Sequence, residues 1–90
     1  MKTINLGNGA ECKMDGDGSK YWRLNGKFHR TDGPAVEKPD SSKSWWLNGE
    51  RHRTDGPALI DIHGRKFWYI NGKEYSEEEF EMIKQMLWAI

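Results

Sequence analysis

Residues 22–35 of this chain read WRLNGKFHRTDGPA, and residues 45–58 read WWLNGERHRTDGPA. The two segments are almost identical, and the step from 22 to 45 is an offset of 23 residues. A third, partial copy follows at the same offset, because residues 67–72 read FWYING. A period in this range is typical of stacked supersecondary units that bury their apolar surfaces against one another. The sequence therefore predicts a repeat fold.

Each copy predicts a β-hairpin. Period-2 alternation places the recurring tryptophan and the residue two positions later on one face, which we expect to form the core. These pairs are Trp22 and Leu24, Trp45 and Leu47, and Trp68 and Ile70. The Asn-Gly pair that follows tolerates positive φ and predicts a tight turn. Asp-Gly-Pro then excludes a helix and predicts second strands over residues 34–37 and 57–62.

The third copy diverges after Lys73 and predicts a helix over residues 76–90. Ser76 and Glu79 have the spacing of a capping box, and Tyr75 and Phe80 have the spacing of a hydrophobic staple. An apolar stripe continues the pattern through Phe80, Ile83, Leu87 and Ile90. We expect this helix to cover the open end of the sheet. Met82 and Met86 are expected to fill the core.

These elements predict a mainly β protein with one C-terminal helix. Antiparallel β-hairpin repeats would stack in a single twisted sheet, within one domain that spans residues 1–90. Its parts are a degenerate N-terminal cap (1–18), repeat 1 (19–41), repeat 2 (42–64), partial repeat 3 (65–75) and a capping helix (76–90).

Composition limits the classes of function. Lys plus Arg and Asp plus Glu both number 14, so no net charge attracts the chain to nucleic acid or to an anionic membrane. Direct nucleic-acid binding and membrane association are therefore disfavoured. Cys12 is the single cysteine and cannot form an intramolecular disulfide. No apolar run reaches the roughly 18 residues of a membrane span. We expect a cytoplasmic protein without a cofactor.

The recurring polar positions have two interpretations. They are Asn25, Gly26, His29, Arg30, Asp32, Asn48, Gly49, His52, Arg53 and Asp55. His with Asp can form a metal or acid–base site. Alternatively, Asp organises the turn and pairs with Arg, while His donates a hydrogen bond to a neighbouring carbonyl of the ladder. Repetition favours the structural interpretation, because catalysis needs one convergent arrangement. We predict neither catalytic residues nor a metal site.

The opposite face of each strand changes between copies but stays aromatic. The rings there either pack beneath the helix and on one another, or form an exposed strip of the kind found in protein interfaces. The second strand of the hairpin also varies, with Phe28 in one copy and Arg51 in the next. The candidate partner-binding residues are Tyr21, Arg23, Trp46, Arg51, Phe67, Tyr69 and Trp88.

The pattern W-x-L-N-G-x-x-H-R-x-D-G-P-A resembles repeats in small proteins of bacteriophages and large DNA viruses. The resemblance covers residues 19–76, and residues 71–80 look like the terminal unit and helix of those proteins. More loosely, the unit resembles the MORN repeat, which shares the strand, the aromatic residue and the Asn-Gly turn. The histidine here is followed by Arg rather than by the Gly of the MORN repeat. The viral resemblance implies a β-hairpin repeat fold and a viral origin.

Together these features predict a non-enzymatic protein–protein interaction module. The resemblance implies a phage-encoded inhibitor that sterically blocks a host defence complex, such as CRISPR–Cas or restriction machinery. The partner would then be a host protein or a ribonucleoprotein. One alternative is a structural or assembly protein that forms homodimers or larger oligomers. Another is a small nucleic-acid-binding or metal-dependent enzyme that uses the His/Asp motifs.

Overall fold

A computed structural model describes residues 2–88 of the chain and the side chains of residues 2–86. It is mainly β with a single C-terminal helix, which confirms the predicted fold class. The strands are β1 (Lys2–Gly7), β2 (Ala10–Met14), β3 (Lys20–Leu24), β4 (Lys27–Phe28), β5 (Val36–Glu37), β6 (Lys43–Ser44), β7 (Trp46–Leu47), β8 (Glu50–Arg51), β9 (Leu59–Ile60), β10 (Lys66–Ile70) and β11 (Lys73–Tyr75). The helix α1 spans Glu77–Trp88.

One antiparallel sheet organises the chain. Its strand order is β1-β2-β3-β5-β6-β9-β10-β11, with β4 paired to β3, and β7 and β8 form a separate two-stranded ladder. Two backbone hydrogen bonds connect this ladder to the preceding hairpin. The Arg30 amide donates to the Trp46 carbonyl at 3.1 Å, and the Gly49 amide donates to the Phe28 carbonyl at 2.9 Å. Successive hairpins are therefore joined side by side.

The Asn-Gly pairs form the predicted turns. Asn25 has φ 50° and Gly26 has φ 81°, and the two later pairs have nearly the same angles. Positive φ at both central residues is the geometry that matches the right-handed twist of paired strands. Asn8 and Gly9 adopt this conformation too, between β1 and β2. The N-terminal segment is therefore a hairpin in its own right.

The core differs from the sequence-based expectation. Trp22, Trp45 and Trp68 are all half-buried, and none of them is among the buried apolar residues. The prediction that their face forms the core is therefore wrong. Among the side chains that the structure describes, the buried apolar ones are Cys12, Ala35, Ala58 and Phe80. The physical reason is the shape of the molecule, which measures 41 × 32 × 17 Å. A single sheet of this thickness has no second layer to cover most of either face.

The start of the helix agrees with the sequence. The Glu79 amide donates to Ser76 Oγ at 3.1 Å, and the Ser76 amide donates to Glu79 Oε1 at 2.9 Å, which confirms the capping box. The helix packs against β10 and β11. Phe80, on its inner side, is 1% exposed.

The predicted role of the helix methionines is wrong. Met82 is 63% exposed and Met86 is 72% exposed, because they lie off the side of the helix that carries Phe80. The side chains of Leu87, Trp88 and Ile90, which the sequence assigns to the apolar stripe or to a partner contact, lie outside the described residues. Within residues 2–88, no helix is long and apolar enough to cross a membrane.

Candidate functional site

Three cross-strand pairs align on the face of the sheet that carries the variable residues. Arg23 lies opposite Phe28 in the first hairpin, Trp46 lies opposite Arg51 in the second, and Tyr69 lies opposite Glu74 in the third. Directly opposed residues of an antiparallel pair share one face. Because the hairpins stand side by side, these large side chains form a row that crosses all three units.

Five members of this row, Arg23, Phe28, Trp46, Arg51 and Tyr69, form a chain of contacts. The Arg23 guanidinium lies 5.3 Å from the centroid of the Phe28 ring, and the Phe28 and Trp46 centroids are 5.5 Å apart. Arg51 then lies between two rings, 4.8 Å from the centroid of Trp46 and 5.0 Å from that of Tyr69. Beside the row, the Tyr21 ring stacks on Phe28 at 6.2 Å. We call this set the aromatic–arginine strip: Tyr21, Arg23, Phe28, Trp46, Arg51 and Tyr69.

The strip is half-buried and held in place. The indole Nε1–H of Trp46 donates to Ser44 Oγ at 2.7 Å, and Ser44 is itself buried. Arg51 Nε is buried and has no hydrogen-bond partner among the described residues. Arg23 is less constrained, since its guanidinium reaches Glu11 only at 4.0 Å. The strip therefore combines a fixed ring system with an unsatisfied cationic donor.

Five of the seven sequence-predicted contact residues come together in the strip: Tyr21, Arg23, Trp46, Arg51 and Tyr69. Phe67 lies on the same face, opposite Leu59, but makes none of the ring contacts found among the described residues. The Trp88 side chain lies outside the described residues. Phe28 is the one member of the strip outside the predicted contact residues, although the sequence identifies it as the variable position that Arg51 occupies in the next unit.

The residues that recur in each repeat lie on the other side of the hairpins. They form two Asp-Gly-Pro loops, residues 31–34 and 54–57. In the first, the Arg30 guanidinium lies 3.8 Å from the centroid of the Trp22 ring. Its Nε donates to Asp32 Oδ1 at 2.9 Å, and its Nη1 donates to the Pro34 carbonyl at 3.0 Å. The second loop has the same contacts at 4.0, 2.7 and 3.0 Å, through Trp45, Arg53, Asp55 and Pro57.

The small residues of the loops permit these contacts. A Cβ at Gly33 would lie 3.0 Å from Arg30 Cζ, and one at Gly56 would lie 2.9 Å from Arg53 Cζ. The alanines that end the two motifs, Ala35 and Ala58, are 0% exposed. The glycine therefore admits the guanidinium, and the alanine side chain is fully enclosed.

The two motif histidines, His29 and His52, each connect their unit to the next turn. The Asn48 amide donates to His29 Nδ1 at 3.0 Å, and the Asn71 amide donates to His52 Nδ1 at 2.9 Å. The expectation that the histidine donates to a carbonyl is wrong, because the ring accepts a hydrogen bond from a turn amide instead. The amide that approaches Nδ1 belongs to the following hairpin, so the bond fixes the relative position of two units.

The loop carboxylates are also engaged within the chain. The hydrogen bond from Arg30 lowers the pKa of Asp32, and the hydrogen bond from Arg53 lowers the pKa of Asp55. The charge of Lys84, on the helix, contributes further to the lowered pKa of Asp55. Within the described part of the chain, no three His, Cys, Asp or Glu side chains converge as a metal-binding group.

Two cavities flank these features. One of about 550 Å³ lies between the two Asp-Gly-Pro loops and is lined by Trp45, Leu47 and both arginines of the loops. The other, of about 380 Å³, lies beside Arg51 on the side of the strip and is lined also by Val36, Ser44 and Leu59.

The chain matches no protein-family model, no curated protein and no solved structure.

Proposed function

We propose that this chain is a non-enzymatic protein-binding module that contacts its partner through the aromatic–arginine strip. The continuous contact from Arg23 through Phe28, Trp46 and Arg51 to Tyr69 is the observation that supports it. Tryptophan, tyrosine and arginine dominate the binding energy of protein interfaces, where they fill well-packed, desolvated pockets of the partner.

The distribution of recurring and variable residues supports the same surface. The recurring residues form bonds within the chain, as in the contacts of Arg30 and Arg53 with their own loops. Residues at the variable positions form the strip instead. A position that every hairpin needs for its own structure has little freedom to vary, whereas a contact surface takes its shape from the partner.

The His/Asp motifs favour a non-enzymatic role. Nδ1 of each loop histidine accepts a bond from the next unit, and each loop carboxylate is held by an arginine. A general base needs an accessible lone pair within hydrogen-bond reach of a substrate proton. The histidine Nδ1 atoms and the loop carboxylates instead accept hydrogen bonds from other groups of the chain.

The partner class follows from the resemblance to viral repeat proteins. A small viral repeat protein without a catalytic motif fits an inhibitor that occludes a host defence complex, either a protein or a ribonucleoprotein. Trp46 and Tyr69, with Arg51 between them, would form the central contact.

Affinity capture from a host lysate tests the proposal. The wild-type chain is compared with Trp46→Ala and Tyr69→Ala, and with Met86→Ala as a matched control, since Met86 is an exposed apolar residue outside the strip. Loss of a central interface residue costs about 2 kcal/mol or more, which is about thirtyfold in affinity. We expect both strip variants to lose a partner that Met86→Ala retains, with thermal melts showing that all variants fold. Equal capture by all four proteins would exclude the strip as the contact surface.

Self-assembly is a second candidate function, and the edge strand β1 favours it. All six residues of β1 are exposed, including Ile4 at 39% and Leu6 at 56%, and its one partner in the described sheet is β2. An exposed edge strand can pair with another chain. Light scattering of the purified chain distinguishes the candidates, because a stable oligomer that Ile4→Lys dissociates would favour assembly.

A further inference from the structure

Arg51 differs from the other arginines of this chain. Arg23, Arg30, Arg53 and Arg65 each lie within 4.0 Å of a carboxylate oxygen. Among the residues whose side chains are described, Arg51 has no such carboxylate, and its Nε is buried without an acceptor. A buried donor without a partner is costly, and more so on a charged group. The stacked guanidinium therefore lacks an anionic partner within the described part of the chain.

The cavity of about 380 Å³ lies directly beside this guanidinium. Lys38 and Lys43 also line it, and Asp40 and Asp61 supply the opposing charge. Asp61 is already paired with Arg65, whose Nε donates to its Oδ2 at 2.7 Å. The lining thus contains three cations, Arg51, Lys38 and Lys43, and two carboxylates. One of the carboxylates, Asp61, is already paired with Arg65, which is not a lining residue. This excess of positive charge around the cavity favours an anionic ligand.

The cavity also offers apolar surface. Val36 and Leu59 line it, each paired in register with Ser44 between them. Ile62 extends the lining and is 59% exposed, so an apolar group of a ligand would cover it. An acidic group next to an apolar group would therefore complement both parts of the cavity.

The ring contacts favour a carboxylate of a protein over a nucleic acid. Single-stranded nucleic acid binds such strips by stacking its bases on exposed ring faces. Here Arg51 lies over Trp46 and Tyr69, and the Phe28 ring already contacts Arg23 and Trp46. An arginine that stacks through its plane keeps its N–H edge for hydrogen bonding, and that edge matches the two oxygens of a carboxylate.

We infer that Arg51 and the adjoining cavity bind an acidic segment of the partner protein, in which an Asp or Glu carboxylate pairs with Arg51 and a neighbouring apolar side chain covers Ile62. This inference rests on the proposed function and names the chemistry of its partner. Lys43, which also lines the cavity, assists through its charge.

A selection from short random peptides tests the inference. The full chain is immobilised and the library is selected by mRNA display, after which the affinities of enriched peptides are measured by fluorescence anisotropy. The variants are Arg51→Gln, Lys43→Gln and, as a matched control, Lys66→Gln, which removes an exposed cation that is not among the residues lining the cavity. Thermal melts establish that each variant is folded. Oligo-dT serves as the nucleic-acid probe.

We expect the enriched peptides to contain Asp or Glu beside an apolar residue. Arg51→Gln should weaken them by about tenfold or more, and Lys66→Gln by less than about twofold. Replacing the acidic residue of the peptide by its amide should weaken binding to the wild-type chain by the same factor. The same replacement should not weaken binding to Arg51→Gln any further. Such a double-mutant cycle isolates the pairing from general effects on binding.

Other outcomes overturn the inference. These are enriched peptides without an excess of acidic residues, peptides insensitive to Arg51→Gln, or a library that yields no binder. Binding of oligo-dT that depends on Trp46 would assign the strip to nucleic acid instead. Failure here is distinguishable from failure of the proposed function, because a partner captured through Trp46 but indifferent to Arg51→Gln would retain the module and reject only the acidic segment.

Discussion

Arg53 and Arg51 are two residues apart, yet their guanidinium groups stack on different tryptophans. Arg53 lies over Trp45, and Arg51 lies over Trp46. Adjacent residues of an extended chain point to opposite faces, so the two tryptophans, and the arginines stacked on them, serve opposite sides of the sheet. Arg53 also bonds Asp55 within its own loop, whereas Arg51 Nε finds no acceptor among the described residues. An arginine thus lies over a tryptophan on both faces. On the loop face its Nε has an acceptor within the chain, whereas on the strip face its Nε has none among the described residues.

The difference has an energetic consequence. A guanidinium that has acceptors and a ring beneath it contributes to stability, whereas a buried donor without an acceptor subtracts from it. Residues of the loop face should therefore be more important for folding than their counterparts in the strip. The strip residues should be more important for binding.

The largest expected effect comes from the two neighbouring tryptophans. Trp45→Ala removes the ring on which Arg53 stacks and which lines the cavity between the loops, and we expect a loss of about 3 kcal/mol in the free energy of unfolding. Trp46→Ala removes a ring of the strip and should cost about half as much, because the Asp-Gly-Pro loops stay intact. Denaturant unfolding of both variants measures the difference.

The shape of the unfolding curves controls this comparison. The slope of the free energy against denaturant should stay the same in both variants, since a changed slope would indicate an altered native or denatured state. If Trp46→Ala were as destabilising as Trp45→Ala, the strip would be part of the structural core, and the distinction between the two faces would be lost.

A smaller effect is expected where glycine admits the loop arginine. Gly56→Ala would place a Cβ 2.9 Å from Arg53 Cζ and displace the guanidinium, at a cost of about 1 to 2 kcal/mol. Gly16→Ala is the matched control, because a Cβ added there would have no heavy atom within 4 Å and the φ of Gly16 is not in the left-handed region. It should be neutral or slightly stabilising. Equal melting temperatures for the two variants would show that the arginine contact is dispensable.

Local features of this fold could be predicted from the sequence, whereas contacts between units could not. The Asn-Gly turns and the capping box of Ser76 depend on a few consecutive residues, and both formed as expected. The contact of Phe28 with Trp46 depends on how one hairpin is placed against the next. Nothing in either hairpin alone specifies that placement, so the sequence marks Phe28 as a variable position but does not predict its contact with Trp46.

Burial was the other feature that pattern alone did not predict. Alternation correctly separates two faces of a strand, but it does not say whether anything covers a face. Trp22 and Trp45 are covered in part by the arginines of their own loops rather than by a second layer. In the same way, the sequence of the helix does not show which of its sides is covered. Met82 lies on the outer side and is exposed.

The smallest effect is expected at a loop carboxylate. The hydrogen bond from Arg53 lowers the pKa of Asp55 below its usual value of 3.8. A carboxyl whose pKa is lower in the folded state contributes stability above the usual value, and this contribution is lost as the pH falls through 3.8 toward the folded pKa. Because the Asp55 side chain is 69% exposed, we expect only about 0.5 kcal/mol at pH 7.

Asp55→Asn keeps the shape of the side chain and removes its titration. The variant should be slightly less stable than the wild type at pH 7, and the two curves of unfolding free energy should converge as the pH falls below about 4. Glu81→Gln, which removes a carboxylate at an exposed position of the helix, is the matched control. Convergence for Asp55→Asn alone would show that the loop face depends on its internal charge pairs. A curve for Asp55→Asn that stays parallel to the wild type would mean that Arg53 stabilises the loop through Trp45 and the Pro57 carbonyl. Arg53 and Arg51 would then differ in their hydrogen bonding and ring contacts, and the charge of Asp55 would not contribute to the difference.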